Sequence, residues 1–223
     1  MSFSILRLLA QLLVASQMRV SAEGRERVPA NGPVLLVCNH LGYVDPLVVG
    51  INLCRQVRIL SKVEVFQWPL VGWLARLAGT IPIHRGESDR MALRKLAALL
   101  SAGECVLVFP EGTFVDPPAP AVMLPVKTGA AWLALRTDAT IVPVGLWGTH
   151  RVWSVQRGWR PWRHPHVHVV FGEPYRPTCG LSRPTKAAVS AVADEMAGRI
   201  ATLLPEEYRG YYATLDIEEV TVL

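Results

Sequence analysis

Short apolar runs alternate along most of the chain with longer segments of helical periodicity. Unbroken apolar runs are typical of buried strands, whereas apolar residues three and four positions apart are typical of helices. The predicted strands are Val34–Cys38, Val57–Leu60, Thr80–Ile83, Cys105–Phe109, Ile141–Leu146 and Val167–Phe171. The predicted helices are Pro46–Leu53, Met91–Leu100, Gly129–Arg136 and Thr185–Leu204. This alternation predicts an α/β fold, a single domain whose mostly parallel or mixed sheet is flanked by helices.

The first segment of the chain is crowded with apolar residues around one arginine, Arg7. The apolar residues are Phe3, Ile5, Leu6, Leu8, Leu9, Leu12, Leu13 and Val14. This pattern predicts an N-terminal amphipathic helix, which either lies at a membrane interface or packs on the domain. We therefore divide the chain into residues 1–20, the amphipathic or membrane-associated helix, and residues 21–223, the globular domain.

The amino-acid composition limits the kinds of binding partner and the cellular compartment that suit this chain. Lys and Arg number 23 against 18 Asp and Glu, and the formal charge of +5 favours an anionic phospholipid surface, a phosphorylated substrate or nucleic acid. The mean hydropathy of +0.27 is high for a soluble protein, yet no apolar run reaches the roughly 18–20 residues of a spanning helix. The cysteines form no Cys-x-x-Cys pair and are interpreted as buried free thiols in a reducing compartment. They are Cys38, Cys54, Cys105 and Cys179.

The strongest candidate for chemistry is a histidine and an aspartate that follow the first predicted strand. His40 and Asp45 lie just after Val34–Cys38, where α/β proteins collect ligands and catalytic groups. Their spacing does not place both side chains on one face of a regular helix, but Gly42 allows the chain between them to bend. An imidazole oriented by a carboxylate is a general base. Asp45 followed by Pro46 has a second interpretation as a helix cap.

Three further motifs follow this pair in order. They are Gly79-Thr80-Ile81-Pro82-Ile83-His84-Arg85, Phe109-Pro110-Glu111-Gly112-Thr113 and Ile141-Val142-Pro143-Val144. Together with His40 and Asp45, they resemble the glycerolipid acyltransferase family, in particular its 1-acylglycerol-3-phosphate acyltransferases, from about Val28 to Phe171. The resemblance implies a glycerol-3-phosphate acyltransferase-like fold and makes residues 21–223 an acyltransferase domain.

The resemblance also implies a role for each motif. His40 is the expected catalytic base and Asp45 its partner. The residues expected to bind or position the acceptor are Arg85, which would hold its phosphate, and Glu111, Gly112 and Thr113. The apolar stretch before Pro143 is assigned in the family to acyl-donor binding or to packing. Glu111 also has a structural interpretation, in which its carboxylate binds backbone amides of the turn.

The sequence departs from the family pattern at Phe114, where an arginine commonly follows the Glu-Gly-Thr run. We expect Lys127 to supply positive charge instead, because it precedes a predicted helix whose first amides also favour anions. This departure bears on the head group of the acceptor more than on the reaction.

The implied reaction moves a fatty acyl group from an acyl thioester to the hydroxyl of a lysophospholipid. The expected acceptor is 1-acyl-glycerol-3-phosphate, which gives phosphatidic acid in phospholipid biosynthesis, and the donor is acyl-CoA or acyl carrier protein. No cofactor and no metal are expected. The sequence has no Gly-x-Ser-x-Gly elbow, which argues against a serine esterase. The alternatives are an acyltransferase for another lysolipid and a noncatalytic peripheral membrane protein that binds lipid.

A basic and aromatic segment between His150 and His168 indicates an anion-binding surface. It contains no acidic residue and interleaves Arg151, Arg157, Arg160 and Arg163 with Trp153, Trp159 and Trp162. We expect this segment and the N-terminal helix to hold a peripheral or monotopic protein at the cytoplasmic face of an anionic membrane. Single-stranded nucleic acid would suit the same composition, but no recognised nucleic-acid motif accompanies it. His164, His166 and His168 alternate as strand residues do, without the Cys or carboxylate that would complete a metal site.

Overall fold

The apolar runs form the centre of a sheet in the computed structural model of the chain. The structure describes residues 3–67, 72, 75, 80–83, 89–115, 119–154, 158–159, 164–177 and 185–214. The strands of the main sheet are β1 (Arg19–Glu23), β2 (Val34–Cys38), β3 (Val57–Lys62), β4 (Ile81–Ile83), β5 (Cys105–Val108), β6 (Thr140–Trp147) and β9 (His166–Phe171). They pair in the order β1-β9-β6-β2-β5-β3-β4. A separate hairpin joins β7 (Trp153–Ser154) and β8 (Gly158–Trp159).

Helices cover both faces of the main sheet. They are α1 (Phe3–Ala15), α2 (Asp45–Ile51), α3 (Asp89–Ser101), α4 (Gly129–Thr137) and α5 (Lys186–Thr202). Leu35 and Val37 pack with α3, α4 and α5 on one face, while Val34 and Leu36 pack with α1 and α2 on the other. Since successive strand residues point to opposite faces and both faces are covered, β2 is buried along its whole length.

Strand direction is mixed. Only β6 and β9 run antiparallel among the described pairs of the main sheet, and the remaining pairs are parallel. The predicted fold, one α/β domain with a mixed sheet flanked by helices and an N-terminal helix, is confirmed.

The sequence did not predict β1, which lies at an edge of the sheet. Its side chains alternate between exposed and half-buried, and only Val20 and Ala22 among them are apolar, so no apolar run marks the strand. α1 ends at Ala15 and the chain enters the sheet at Arg19. The predicted division after residue 20 therefore falls inside β1, and the division into two segments stays a prediction.

The cysteines follow the prediction in part. Cys38 and Cys105 are buried free thiols, as expected. Cys54 is also a free thiol but is exposed, because it lies in the turn between α2 and β3 rather than in an apolar strand. The expectation of burial is therefore wrong for Cys54. Cys179 lies outside the described residues.

Parallel pairing brings the candidate residues to one edge of the sheet. β2 and β5 run side by side from the Val34–Cys105 pair to the Val37–Val108 pair. The residues that follow these strands, which include His40 and Glu111, therefore emerge at the same edge. In an α/β sheet this carboxyl edge is where ligands bind.

Candidate active site

His40 and Asp45 form a hydrogen-bonded pair at the carboxyl edge of the sheet. The Nδ1 atom of His40 lies 2.8 Å from Oδ2 of Asp45. The Asp45 side chain is completely buried, and 16% of the His40 side chain is exposed. Because a carboxylate only accepts hydrogen bonds, Nδ1 is the donor to Asp45, which leaves Nε2 as the acceptor atom of the neutral imidazole. The two residues singled out in the sequence are thus in contact, with the basic nitrogen on the other side of the imidazole.

The same oxygen of Asp45 also holds the loop that joins the pair. Oδ2 accepts hydrogen bonds from the backbone amides of Leu41 at 2.6 Å and Gly42 at 2.9 Å. Asp45 is already the first residue of α2, whose N-cap residue is Val44. The carboxylate therefore binds amides that precede the helix, and the interpretation of Asp45 as a helix cap is wrong.

Gly42 does not supply the backbone bend that was expected of it from the sequence. Its φ does not lie in the left-handed region, unlike that of six other described glycines. A Cβ atom at Gly42 would lie 3.5 Å from the carbonyl group of Thr149, which is an ordinary contact. The bend between His40 and Asp45 is fixed by the hydrogen bonds to Oδ2 rather than by the conformational freedom of glycine.

Glu111 supports His40 from the neighbouring strand. This residue is only 2% exposed, and its Oε1 accepts a hydrogen bond from the backbone N–H of His40 at 2.8 Å. Oε2 accepts one from the N–H of Leu124 at 2.7 Å. Burial raises the pKa of Glu111 from its ordinary 4.5 to about 7, although both amides oppose this rise. The partners are backbone amides, as in the structural interpretation of Glu111, but they belong to His40 and Leu124 and not to the turn. The role of Glu111 in acceptor binding stays a prediction.

The turn after β5 also brings together the other predicted acceptor residues. Gly112 adopts a left-handed φ of 71°, and a Cβ atom there would lie 2.8 Å from Nζ of Lys127. The ammonium group of Lys127 therefore lies against Gly112, and it is the positive φ that favours glycine at this position. Thr113 follows with an exposed side chain. Gly112 and Thr113 thus follow Glu111 directly, and the ammonium group of Lys127 lies against this segment.

Aromatic rings pack around the imidazole of His40. Phe109 stacks on it with ring centroids 4.1 Å apart, and Phe114 meets it edge-on at 4.5 Å. Tyr43, which is exposed, packs edge-on against Phe114 at 4.7 Å. The sequence marked Phe114 only as a departure from the family pattern. Its contact with His40 was not predicted, because the contact arises from the pairing of β2 with β5.

Asn39 is a further residue of the site that the sequence did not assign. Its buried side chain donates from Nδ2 to the carbonyl oxygen of Leu146 and accepts at Oδ1 from the N–H of Leu146, both at 2.8 Å. This pair of hydrogen bonds ties the end of β2 to β6 and fixes the backbone next to His40. The available signal was an amide side chain directly after an unbroken apolar strand, since a buried amide needs partners.

Comparisons with known proteins agree with this geometry. A family model described as Acyltransferase matches residues 19–147, which is more than half of the 223 residues. The chain belongs to this acyltransferase family. The matched range includes His40, Asp45, Glu111 and Lys127, and the resemblance stated from the motifs is confirmed.

Relatives within the acyltransferase family differ in the acceptor that they are named for. The chain is 25% identical over 185 residues to 1-acyl-sn-glycerol-3-phosphate acyltransferase of Bacillus subtilis, which covers 82% of this chain and 87% of the relative. It is 42% identical over 98 residues to lyso-ornithine lipid O-acyltransferase of Pseudomonas aeruginosa. That match covers 44% of this chain and only 35% of the length of the Pseudomonas relative.

A solved structure shares the fold. The crystal structure of the 1-acyl-sn-glycerophosphate (LPA) acyltransferase PlsC from Thermotoga maritima superimposes with a TM-score of 0.67. The sequences are 22% identical, and the superposition covers 90% of this chain and 79% of the Thermotoga chain. At this level of identity, the superposition shows that the two proteins share a fold.

Several predicted contact residues fall outside the described part of the chain. They are Arg85, Arg157, Arg160, Arg163 and Trp162, together with the side chains of Trp153 and Trp159. The phosphate contact of Arg85 and the membrane contacts of the basic segment therefore stay predictions. Arg151 is described, and its Nη2 donates to the hydroxyl group of Tyr208 at 3.3 Å.

The histidines of β9 are placed at the sheet surface. The rings of His166 and His168 lie 6.4 Å apart, and His168 stacks on Trp147 at 4.8 Å. Among the described residues, no three His, Cys, Asp or Glu side chains are grouped so that they could hold a metal ion. None of the described helices combines the length and the apolar character needed to cross a membrane.

Proposed function

We propose that this chain transfers a fatty acyl group from an acyl thioester to the hydroxyl group of a lysophospholipid, with 1-acyl-glycerol-3-phosphate as the acceptor. The observation that carries the proposal is the buried carboxylate of Asp45, 2.8 Å from the imidazole of His40. The similarity to the Bacillus subtilis enzyme across 82% of the chain supports this acceptor. The product is then phosphatidic acid, an intermediate of phospholipid biosynthesis.

His40 is the general base in this proposal. Its Nε2 accepts the proton of the acceptor hydroxyl while the oxygen attacks the carbonyl carbon of the thioester. Asp45 stabilises the imidazolium that forms. The tetrahedral oxyanion collapses, the C–S bond breaks, and the imidazolium returns the proton to the leaving thiolate. The scheme uses no acyl-enzyme intermediate.

Two carboxylates position the base from different sides. Asp45 holds the imidazole ring, and Glu111 holds the backbone amide of His40. The amides of Leu41 and Gly42 are engaged with Asp45, so they are not the donors that stabilise the oxyanion.

Lys127 and Arg85 are the proposed contacts for the acceptor phosphate. The ammonium group of Lys127 lies against Gly112, in the turn that also carries Glu111 and its hydrogen bond to His40. A phosphate bound there would bring a neighbouring glycerol hydroxyl toward the imidazole. The guanidinium group of Arg85 would add paired hydrogen bonds to the same phosphate.

We also propose that the protein acts as a peripheral protein on the cytoplasmic face of a membrane, with acyl-CoA or acyl carrier protein as the donor. The side chains that support a membrane contact are Ile5, Leu8, Leu9, Leu12 and Leu13 of α1, which are 46–61% exposed. Their spacing places them along one side of the helix. An exposed apolar stripe of this kind inserts into the boundary between head groups and acyl chains.

The proposed function is tested by assaying the purified full chain with 1-acyl-glycerol-3-phosphate, lysophosphatidylcholine and lyso-ornithine lipid, each with both donors. We expect phosphatidic acid from 1-acyl-glycerol-3-phosphate. His40→Ala should lower kcat about a hundredfold to ten-thousandfold without changing the circular dichroism spectrum. His166→Ala, which removes an exposed histidine of β9, should retain activity. Lipid binding without transfer in the wild type would instead support the noncatalytic alternative.

Lyso-ornithine lipid is the second candidate acceptor. It is favoured by the phenyl ring of Phe114, which lies 4.5 Å from the His40 ring and offers no charge to a phosphate, and by the 42% identity with the Pseudomonas relative. Phe114→Arg should raise kcat/KM for 1-acyl-glycerol-3-phosphate, and Lys127→Ala should lower it. A wild-type preference for lyso-ornithine lipid would overturn the phosphate assignment and leave the chemistry of His40 in place.

A further inference from the structure

A cleft lined by arginine and tryptophan lies between α3 and α4, apart from the His40–Asp45 pair. It has two adjoining parts of about 420 and 350 Å³ that share Arg94 and Trp132. One part extends to Arg136 in the last turn of α4. The other reaches Arg90 at the start of α3 and Thr128 just before α4. Cavities of this size hold ligands as large as cofactors.

The positive charges of this cleft are not neutralised by the described part of the protein. Arg90, Arg94 and Arg136 are exposed, and none of them forms an ion pair with another described residue. The described residues that line the cleft include no acidic side chain. Arg90 and Arg94 are four residues apart on one helix, where like charges repel. A bound anion would relieve this repulsion.

Trp132 gives the cleft an aromatic wall. Its side chain is half-buried, packs on the core and lines both parts of the cleft. α4 starts close to α3, because a Cβ atom at Gly129 would lie 3.4 Å from Cδ2 of Leu93. A planar base stacks on an indole ring, while guanidinium groups bind phosphates with paired hydrogen bonds. A concave cleft with this lining favours a phosphorylated nucleotide over the broad surface of a protein.

One end of the cleft, at Thr128, lies beside Lys127 and the turn that carries Glu111. Thr128 follows Lys127, whose backbone N–H donates to the carbonyl oxygen of Pro110 at 2.8 Å. The turn that begins at Pro110 binds the backbone amide of His40. From Thr128 to Arg136 the helix rises about 12 Å. A ligand in the cleft can therefore extend from the catalytic edge to the far end of α4.

We propose that this cleft binds the nucleotide part of acyl-coenzyme A. The adenine ring would stack on Trp132 and the phosphates would bind Arg90, Arg94 and Arg136, so that the pantetheine arm runs past Lys127 to His40. This inference rests on the proposed acyl transfer and selects its donor, coenzyme A rather than an acyl carrier protein. Binding forms no covalent bond, and the thioester delivered to His40 reacts as described above.

Calorimetric titration of the full chain with coenzyme A, 3′-dephospho-coenzyme A and pantetheine tests the site without requiring catalysis. Coenzyme A should bind most tightly and pantetheine most weakly. The double variant Arg94→Ala/Arg136→Ala should lower the affinity for coenzyme A about a hundredfold, because each lost charged hydrogen bond costs about tenfold or more. Arg25→Ala removes an exposed arginine outside the cleft and should leave the affinity unchanged. Equal affinity in the wild type and the double variant would overturn the site.

Steady-state kinetics then distinguishes a failure of the proposed cleft from a failure of the proposed function. The double variant should raise KM for acyl-CoA about a hundredfold, keep kcat within roughly twofold, and leave KM for an acyl-pantetheine unchanged. If it impairs only the use of an acyl carrier protein, the cleft docks a protein and the inference is wrong. If the wild type uses neither donor but binds coenzyme A in a way that depends on Arg94 and Arg136, the proposed function fails and the site stands.

Discussion

Among the single residues of the site, Asp45 organises the proposed base through one oxygen atom. Its Oδ2 lies 2.8 Å from Nδ1 of His40 and accepts hydrogen bonds from the amides of Leu41 and Gly42. In the proposed mechanism the carboxylate therefore has two tasks, which are to hold the loop and to stabilise positive charge on the imidazole. Asparagine separates these tasks, because its side-chain oxygen accepts hydrogen bonds but carries no net charge.

Asp45→Asn is expected to keep the loop in place but to lower kcat about a hundredfold to ten-thousandfold, because an amide does not stabilise the imidazolium. Asp45→Ala removes both tasks and should lower the melting temperature as well. Steady-state kinetics and thermal unfolding of the two variants check this expectation. Full activity in a stable Asp45→Asn variant would mean that the carboxylate only holds the loop.

Glu111 is expected to act on His40 through the backbone rather than on the substrate. Glutamine accepts only one of the two amide hydrogen bonds of Glu111, because its other terminal group is a donor. Glu111→Gln should therefore leave one of these two amides without its partner. It should also lower kcat while KM for the acceptor stays unchanged. A raised KM with unchanged kcat would instead assign Glu111 to acceptor binding.

The pH dependence of stability reports on the same carboxyl group. Because burial raises the pKa of Glu111 from 4.5 to about 7, the folded state binds this proton more tightly than the unfolded state does. The stability that protonation contributes is fully present below about pH 4.5 and is lost as the pH rises to about 7. Between these values the wild type should lose about 3 kcal/mol relative to Glu111→Gln in urea unfolding. Parallel stability curves for the two proteins would contradict the raised pKa.

The strands and helices were predictable where a buried element has a recognisable pattern of apolar residues in the sequence. β2 begins and ends at the predicted residues, Val34–Cys38, because a strand covered on both faces is apolar throughout. β1 was missed because an edge strand with half-buried side chains needs few apolar residues. The antiparallel pairing of β6 with β9 was not predicted either, since strand direction depends on the path of the chain between the strands.

The same distinction applies to the candidate site: the pair of residues close in sequence was predicted, and the contacts between distant residues were not. His40 and Asp45 were found because they are close in sequence and belong to a motif. The hydrogen bond between Glu111 and the amide of His40 spans 71 positions, and the bonds between Asn39 and Leu146 span 107. Such contacts depend on which strands become neighbours, and periodicity does not specify neighbours.

The two hydrogen bonds between Asn39 and Leu146 are such a contact, and we expect them to stabilise the fold by linking β2 to β6. Asn39→Ala leaves the backbone N–H and carbonyl group of Leu146 buried without their partners, so the free energy of unfolding should fall by about 2–5 kcal/mol. Asn52→Ala is a matched control, because it loses one half-buried hydrogen bond to Val48 at the end of α2. It should cost less than about 1.5 kcal/mol. Similar losses in urea unfolding of both variants would show that Asn39 is not the tie between β2 and β6.

Across the whole molecule, the proposed surfaces lie on different sides of one sheet. α1 and α2 cover one face, while α3 and α4, which form the proposed coenzyme A cleft, cover the other. Arg7 and Gln11 of α1 donate to the carbonyl oxygens of Leu53 and Ile51, each at 2.8 Å. The helix that presents the apolar stripe is thus fastened to α2, the helix that begins with Asp45. A lipid acceptor and a nucleotide-bound donor would approach the catalytic edge from opposite faces.

This arrangement predicts that the stripe of α1 matters only for acceptors held in a membrane. Leu8→Ser combined with Leu12→Ser should lower vesicle affinity at least about a hundredfold, because burying each leucine contributes about 1.5–3 kcal/mol. Activity on vesicle-bound acceptor should fall with it, while activity on a short-chain acceptor dissolved in water should persist, since the opposite side of α1 makes the contacts with α2. Tyr211→Ser, at a residue 69% exposed elsewhere, should leave vesicle sedimentation and both activities unchanged. An equal loss on both acceptors, accompanied by a lower melting temperature, would mean that the stripe supports the fold instead of the membrane contact.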